Sequence, residues 1–74
     1  MMQITKGLAR KMYNEGEEVM IIPNKIRPTS MLSAWYHKSA ETDDTFEKLC
    51  DIIFYYNCSP ETGMKLAFYA KEVK

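Results

Sequence analysis

The sequence predicts an α+β domain in the order α-β-β-α-β, with a three-stranded, mainly antiparallel sheet carrying two helices on one face. Three observations lead there. Apolar residues recur at helical spacing from Phe46 to Tyr56, a short β-branched run ends at Pro23, and apolar residues alternate with others from Met64 to Lys71. No linker, repeat or low-complexity tract divides the 74 residues, so residues 1–74 are expected to form one small domain. At this size about 60% of the unfolded surface is buried on folding. The resulting stability is roughly 4–10 kcal/mol.

The first helix is expected from Lys6 to Glu15. Thr5 supplies an N-cap oxygen, Leu8 and Met12 form an i,i+4 pair beside Ala9 and Tyr13, and Gly16 tolerates the positive φ of a helix terminator. Lys6, Arg10, Lys11 and Asn14 make the solvent face. Glu18–Ile22 then reads as a buried strand closed by Pro23, and the prolines at 23 and 28 stiffen the connection that follows. Ser30–Lys38 is expected to be a second strand, antiparallel to the first.

The second helix is the clearest element. Thr42-Asp43-Asp44 offers capping oxygens, Asp44 and Glu47 have capping-box spacing, and Phe46, Leu49, Cys50, Ile53 and Asn57 or Tyr56 form the inward stripe, widened by Ile52 and Tyr55. It should end near Asn57, before the turn Ser59-Pro60-Glu61-Thr62-Gly63. The last segment could start a helix at Ser59-Pro60-Glu61, with Pro at the first helical position. Yet Met64, Leu66, Phe68 and Ala70 alternate with Lys65, Ala67, Tyr69 and Lys71, and Gly63 sits badly in a helix's first turns. A strand is expected there.

Charge, cysteines and motifs exclude several classes of function. No apolar run approaches the 18–20 residues of a membrane span, and the first residues lack the pattern of a secretion signal, so a cytoplasmic protein without membrane partners is expected. Cys50 and Cys58 are too few for a disulfide framework. On one helix they would stand about 12 Å apart along the axis, too far to pair. His37 is the only histidine and no CxxC is present, which argues against zinc. Glu41, Asp43, Asp44 and Glu47 lack calcium-loop spacing, and a helix dipole already accounts for acids in a first turn. No nucleophile, phosphate-loop or metalloprotease motif occurs. Neither catalytic nor metal-binding residues are assigned, no cofactor is expected, and the protein is not expected to be an enzyme.

Ten basic and ten acidic residues cancel, which removes the general attraction that a nucleic-acid binder shows. The charges are nevertheless segregated. Residues 1–38 hold six bases against three acids, and residues 39–74 hold four bases against seven acids. The plainer expectation is that folding interleaves the halves and the asymmetry disappears. Within the first half, Lys25, Arg27, Trp35, Tyr36, His37 and Lys38 combine cations with flat aromatics, a mix that suits protein hot spots or nucleic-acid bases. Core filling by Trp35 is the competing explanation. A second candidate surface is Tyr55 and Tyr56, because Tyr13, Tyr55, Tyr56 and Tyr69 together exceed what a small core can bury with satisfied hydroxyls.

The stretches LARKMYNEGEEVMIIPNKIRP (Leu8–Pro28) and FEKLCDIIFYYNCSPETGMKLAFYAKEV (Phe46–Val73) resemble small open reading frames of phages and conjugative elements of gut bacteria. The likeness spans most of the chain and rests on an initial helix, a strand ending in Pro and a Tyr-Tyr-Asn helix end. It implies a mobile-element setting, where small accessory proteins bind host defence or replication components. It brings no activity or functional residue. The function expected is a non-enzymatic module that binds a host or element-encoded protein, as an anti-CRISPR-like antagonist of host defence does. The alternative is a nucleic-acid-binding accessory protein using Lys25–Lys38. A homodimer through an exposed sheet edge is also expected.

Overall fold

The computed structural model describes residues 1–29, 34–38, 45–58 and 63–71. The elements run β1 (Met2–Ile4), α1 (Lys6–Asn14), β2 (Val19–Pro23), β3 (Trp35–Tyr36), α2 (Phe46–Asn57) and β4 (Leu66–Ala70). The sheet therefore has four strands rather than three, in the order β1-β4-β2-β3, with every neighbouring pair antiparallel. The additional strand is β1. Its three residues are too few to show a periodicity, and it exists because β4 has a second edge on which to pair.

Both crossovers are split. β1 and β2 flank β4 and are joined through α1, while β3 and β4 flank β2 and are joined through α2. Both helices pack on one face, as expected. Ala9 and Tyr13 from α1 and Phe46, Cys50 and Ile53 from α2 meet Val19, Ile21 and Phe68 of the sheet in one buried cluster. Phe46 is its centre, with ring centroids 5.8 Å from both Tyr13 and Phe68. Side chains alternate between the two faces of a strand. Met20, Ile22 and Ala67 thus point away from the helices, and they too are buried. The second face of the sheet is covered at its middle, so it is not an open aromatic platform.

The caps explain the helix boundaries. The Thr5 hydroxyl accepts from the Leu8 N–H at 3.2 Å. At the other end of α1, Gly16 has φ +85°, its N–H donates to the Tyr13 carbonyl, and the Glu17 N–H donates back to Met12. These are the paired bonds of a Schellman terminus. For α2 the capping residue is Thr45, whose hydroxyl accepts from the Lys48 N–H at 3.1 Å. The candidates Thr42, Asp43 and Asp44 lie outside the described residues, as do Glu41 and the helix start considered at Ser59-Pro60-Glu61.

Two other expectations need correction. Pro23 belongs to β2, opposite Leu66, instead of following the strand. Among the described residues β3 pairs with Val19 and Met20, and Pro23 holds its place at the end of β2 through its pairing with Leu66. The Asn24 N–H continues the other side by donating to the Lys65 carbonyl at 2.7 Å. The strand expected over Ser30–Lys38 is seen as Trp35–Tyr36, with residues 30–33 outside the described set.

Candidate protein-contact surface

An α-helix turns through about 100° per residue, so Phe46, Cys50, Ile53 and position 57 share one direction. Tyr56 falls roughly 80° away from that direction, on the Leu49 flank, and Tyr55 points outward. This geometry removes Tyr56 from the buried stripe: it is 77% exposed, and Tyr55 is 79% exposed. Ile52, one turn earlier on the same side, is 40% exposed. The two tyrosine rings meet edge to face, with centroids 5.1 Å apart and planes at 87°. Each ring limits the other's rotamers, which lowers the entropy lost when a partner covers them.

Phe54 forms the shoulder of this surface. It is half-buried and borders two clefts. One, of about 330 Å³, is lined by Lys6, Cys50, Asp51, Phe54, Lys65, Leu66 and Phe68. The other, of about 320 Å³, lies among Asp51, Phe54, Tyr55 and Cys58. Cys50 and Cys58 are free and buried. Burial pushes the Cys50 thiol up to about 11 and raises Cys58 as well, so neither is a thiolate at neutral pH and neither is poised for nucleophilic chemistry.

The residues of the first candidate surface are distributed along β2 and β3. Lys25 and Arg27 are exposed in the turn beyond Pro23, where the Ile26 N–H donates to the Pro23 carbonyl. His37 and Lys38 follow β3, and continuing the Val19–Tyr36 register sets them beside Glu18 and Glu17. The five residues of β2 hold these two groups roughly 17 Å or more apart. Trp35 and Tyr36, adjacent in an edge strand, point to opposite faces. Tyr36 packs against the helix-side cluster, while Trp35 lies on the other face under Lys71.

Sequence reading missed the group around Trp35. Lys71 Nζ lies 5.0 Å from the Trp35 ring centroid and donates to Glu18 Oε2 at 2.5 Å. That hydrogen bond, then the lysine's charge, holds the Glu18 carboxyl below its ordinary range, with His37 adding to the effect. The pair spans 53 positions, and no local pattern could have found it. Arg10 Nε similarly meets Glu47 Oε1 at 2.6 Å. Both ion pairs join the basic half of the sequence to the acidic half, so the segregation of charge does not survive folding intact.

Among the described residues no group of three or more His, Cys, Asp or Glu side chains could hold a metal ion, and no helix is long and apolar enough to cross a membrane. The chain matches no protein-family model, and no curated protein or solved structure is significantly similar to it.

Proposed function

We propose that the chain is a small protein-binding module whose contact surface is the outer side of α2, with Tyr55 and Tyr56 as its anchors. The carrying observation is the exposure of this edge-to-face pair, 79% and 77%, on a helix whose inner stripe is already satisfied by the core. Large aromatics on a rigid element supply interface area at low entropic cost, and Tyr is enriched among hot-spot residues. The likeness to frames of phages and conjugative elements supports a partner in host defence, bound directly in the manner of an inhibitor. The nucleic-acid alternative has less support. Its basic residues stand at opposite ends of β2, Lys71 is engaged by Glu18, and the middle of the sheet's second face is covered.

The test compares the wild type with a Tyr55→Ser/Tyr56→Ser variant as baits in a gut-bacterial host lysate, with quantitative mass spectrometry. Both side chains are exposed, so the variant should keep its fold by circular dichroism. A protein retained by the wild type should be lost from the variant, and with that partner purified the loss should reach about 2 kcal/mol, the hot-spot threshold. Arg27→Ala measures the competing surface in the same assay. Equal capture by wild type and the tyrosine variant would overturn the proposal. Binding that collapses steeply with salt would instead favour nucleic acid.

A further inference from the structure

β1 is an edge strand protected by its shortness, three residues, but by no charge or proline. Natural edges are blunted by charges, prolines or bulges. Residues 1–5 contain no charged side chain and no proline, Met1 and Met2 are 57% and 54% exposed, and Gln3 is exposed. The opposite edge differs: β3 has two residues and is followed directly by exposed His37 and Lys38.

We propose that β1 pairs antiparallel with β1 of a second copy of this chain, across a two-fold axis through Gln3, joining two sheets into one. The strand's own pattern selects a second copy as the occupant. With Gln3 opposite Gln3, Met2 of each copy stands opposite Ile4 of the other. The pairings Met2–Ala70 and Ile4–Phe68 put both residues on the helix-bearing face, so apolar groups meet apolar groups across the seam. There they extend the open cleft of about 570 Å³ formed by Met2, Gln3, Ile4, Thr5 and Leu8. On the other face each Gln3 amide, a donor and an acceptor at once, meets an identical amide. A charged residue at that position would repel its own copy; an amide does not. Lys6, the first charged residue, lies beyond the paired segment.

The seam is short, well below the roughly 1,200 Å² of a standard interface, so dissociation on the order of 100 µM is expected. It does not rest on the helix-surface proposal, and the two can fail separately. Sedimentation equilibrium of the full chain, from about 10 µM to about 1 mM, should show a reversible monomer–dimer equilibrium. Gln3→Lys and Gln3→Glu, at an exposed position, should each keep the fold and weaken the dimer roughly fivefold through like charges directly opposite. An equimolar mixture of the two should restore association as a heterodimer. Met2→Lys should weaken it from the apolar side. The proposal is overturned by a monomer at every concentration, by a dimer indifferent to charge at position 3, or by a mixture no stronger than its components. Loss of the dimer in the Tyr55→Ser/Tyr56→Ser variant would likewise overturn it, by assigning self-association to α2.

Discussion

Replacing Phe46 with alanine tests the packing scheme most severely. The side chain is fully buried and touches one ring from α1 and one from β4, at 5.8 Å centroid separation each. Removing it takes away the transfer free energy of the ring and leaves a cavity between two helices and a sheet. Phe→Ala changes in cores cost about 3–5 kcal/mol. The upper half of that range is expected here, because Tyr13 and Phe68 lose their aromatic neighbour together and belong to different elements. Set against a total of roughly 4–10 kcal/mol, a loss of about 4 kcal/mol would unfold a large fraction of the protein or leave it barely folded. Urea titration followed by far-UV circular dichroism measures this directly, with Tyr56→Ala as the exposed control, expected within about 0.5 kcal/mol of wild type. A Phe46→Ala variant that loses less than about 1.5 kcal/mol at unchanged m-value would refute the central position of this ring.

Gly16→Ala should cost about 1–2 kcal/mol in the same titration; no atom crowds the new Cβ closely, so the penalty is the left-handed φ of +85° alone. Thr45→Ala should cost about 1 kcal/mol by freeing the Lys48 N–H. For Glu18, an NMR titration should give a midpoint below the ordinary carboxylate value, returning toward it in Lys71→Met; the lowered folded value means that its contribution is present near neutral pH and is lost as pH falls through that midpoint. The buried thiols have the opposite sign: because the folded Cys50 keeps its proton up to about 11, stability should decline as pH rises above the free thiol's range, and native-state labelling at pH 8 should be far slower than in urea.

The legible parts of the fold are those whose pattern repeats within the element. Phe46, Cys50 and Ile53 gave α2 its inward stripe and its end at Asn57, and the alternation of Leu66, Phe68 and Ala70 identified β4 as a strand. Thr5 and Gly16 bracketed α1 because capping chemistry is local. What could not be read depends on distant partners. β1 is a strand only by virtue of β4, and Pro23 belongs to β2 by pairing with Leu66, a residue 43 positions away. Spacing offers Asn57 or Tyr56 as the next stripe position after Ile53, but both are exposed: the buried stripe of the helix stops at Ile53, and Tyr56, roughly 80° off its direction, stays in solvent. The exposure of Tyr55 and Tyr56 is legible from a different signal, the number of tyrosines against the size of the core, even though helical spacing alone counts both in a widened stripe.

The position of β4 has a consequence for synthesis. Last in chain order among the described elements, it nonetheless sits between the strands that flank α1, and Phe68 completes the cluster from which Phe46 and Ile21 draw their burial. A nascent chain that has emerged only through α2 therefore has both helices and a β2–β3 ladder but no strand joining β1 to the rest. Its apolar faces stay uncovered until residues 66–70 leave the ribosome, and only then can the sheet close in one cooperative step. Folding of this unit should consequently wait for residues 66–70, with the non-local pairings setting a rate slower than that of a helical bundle of equal length.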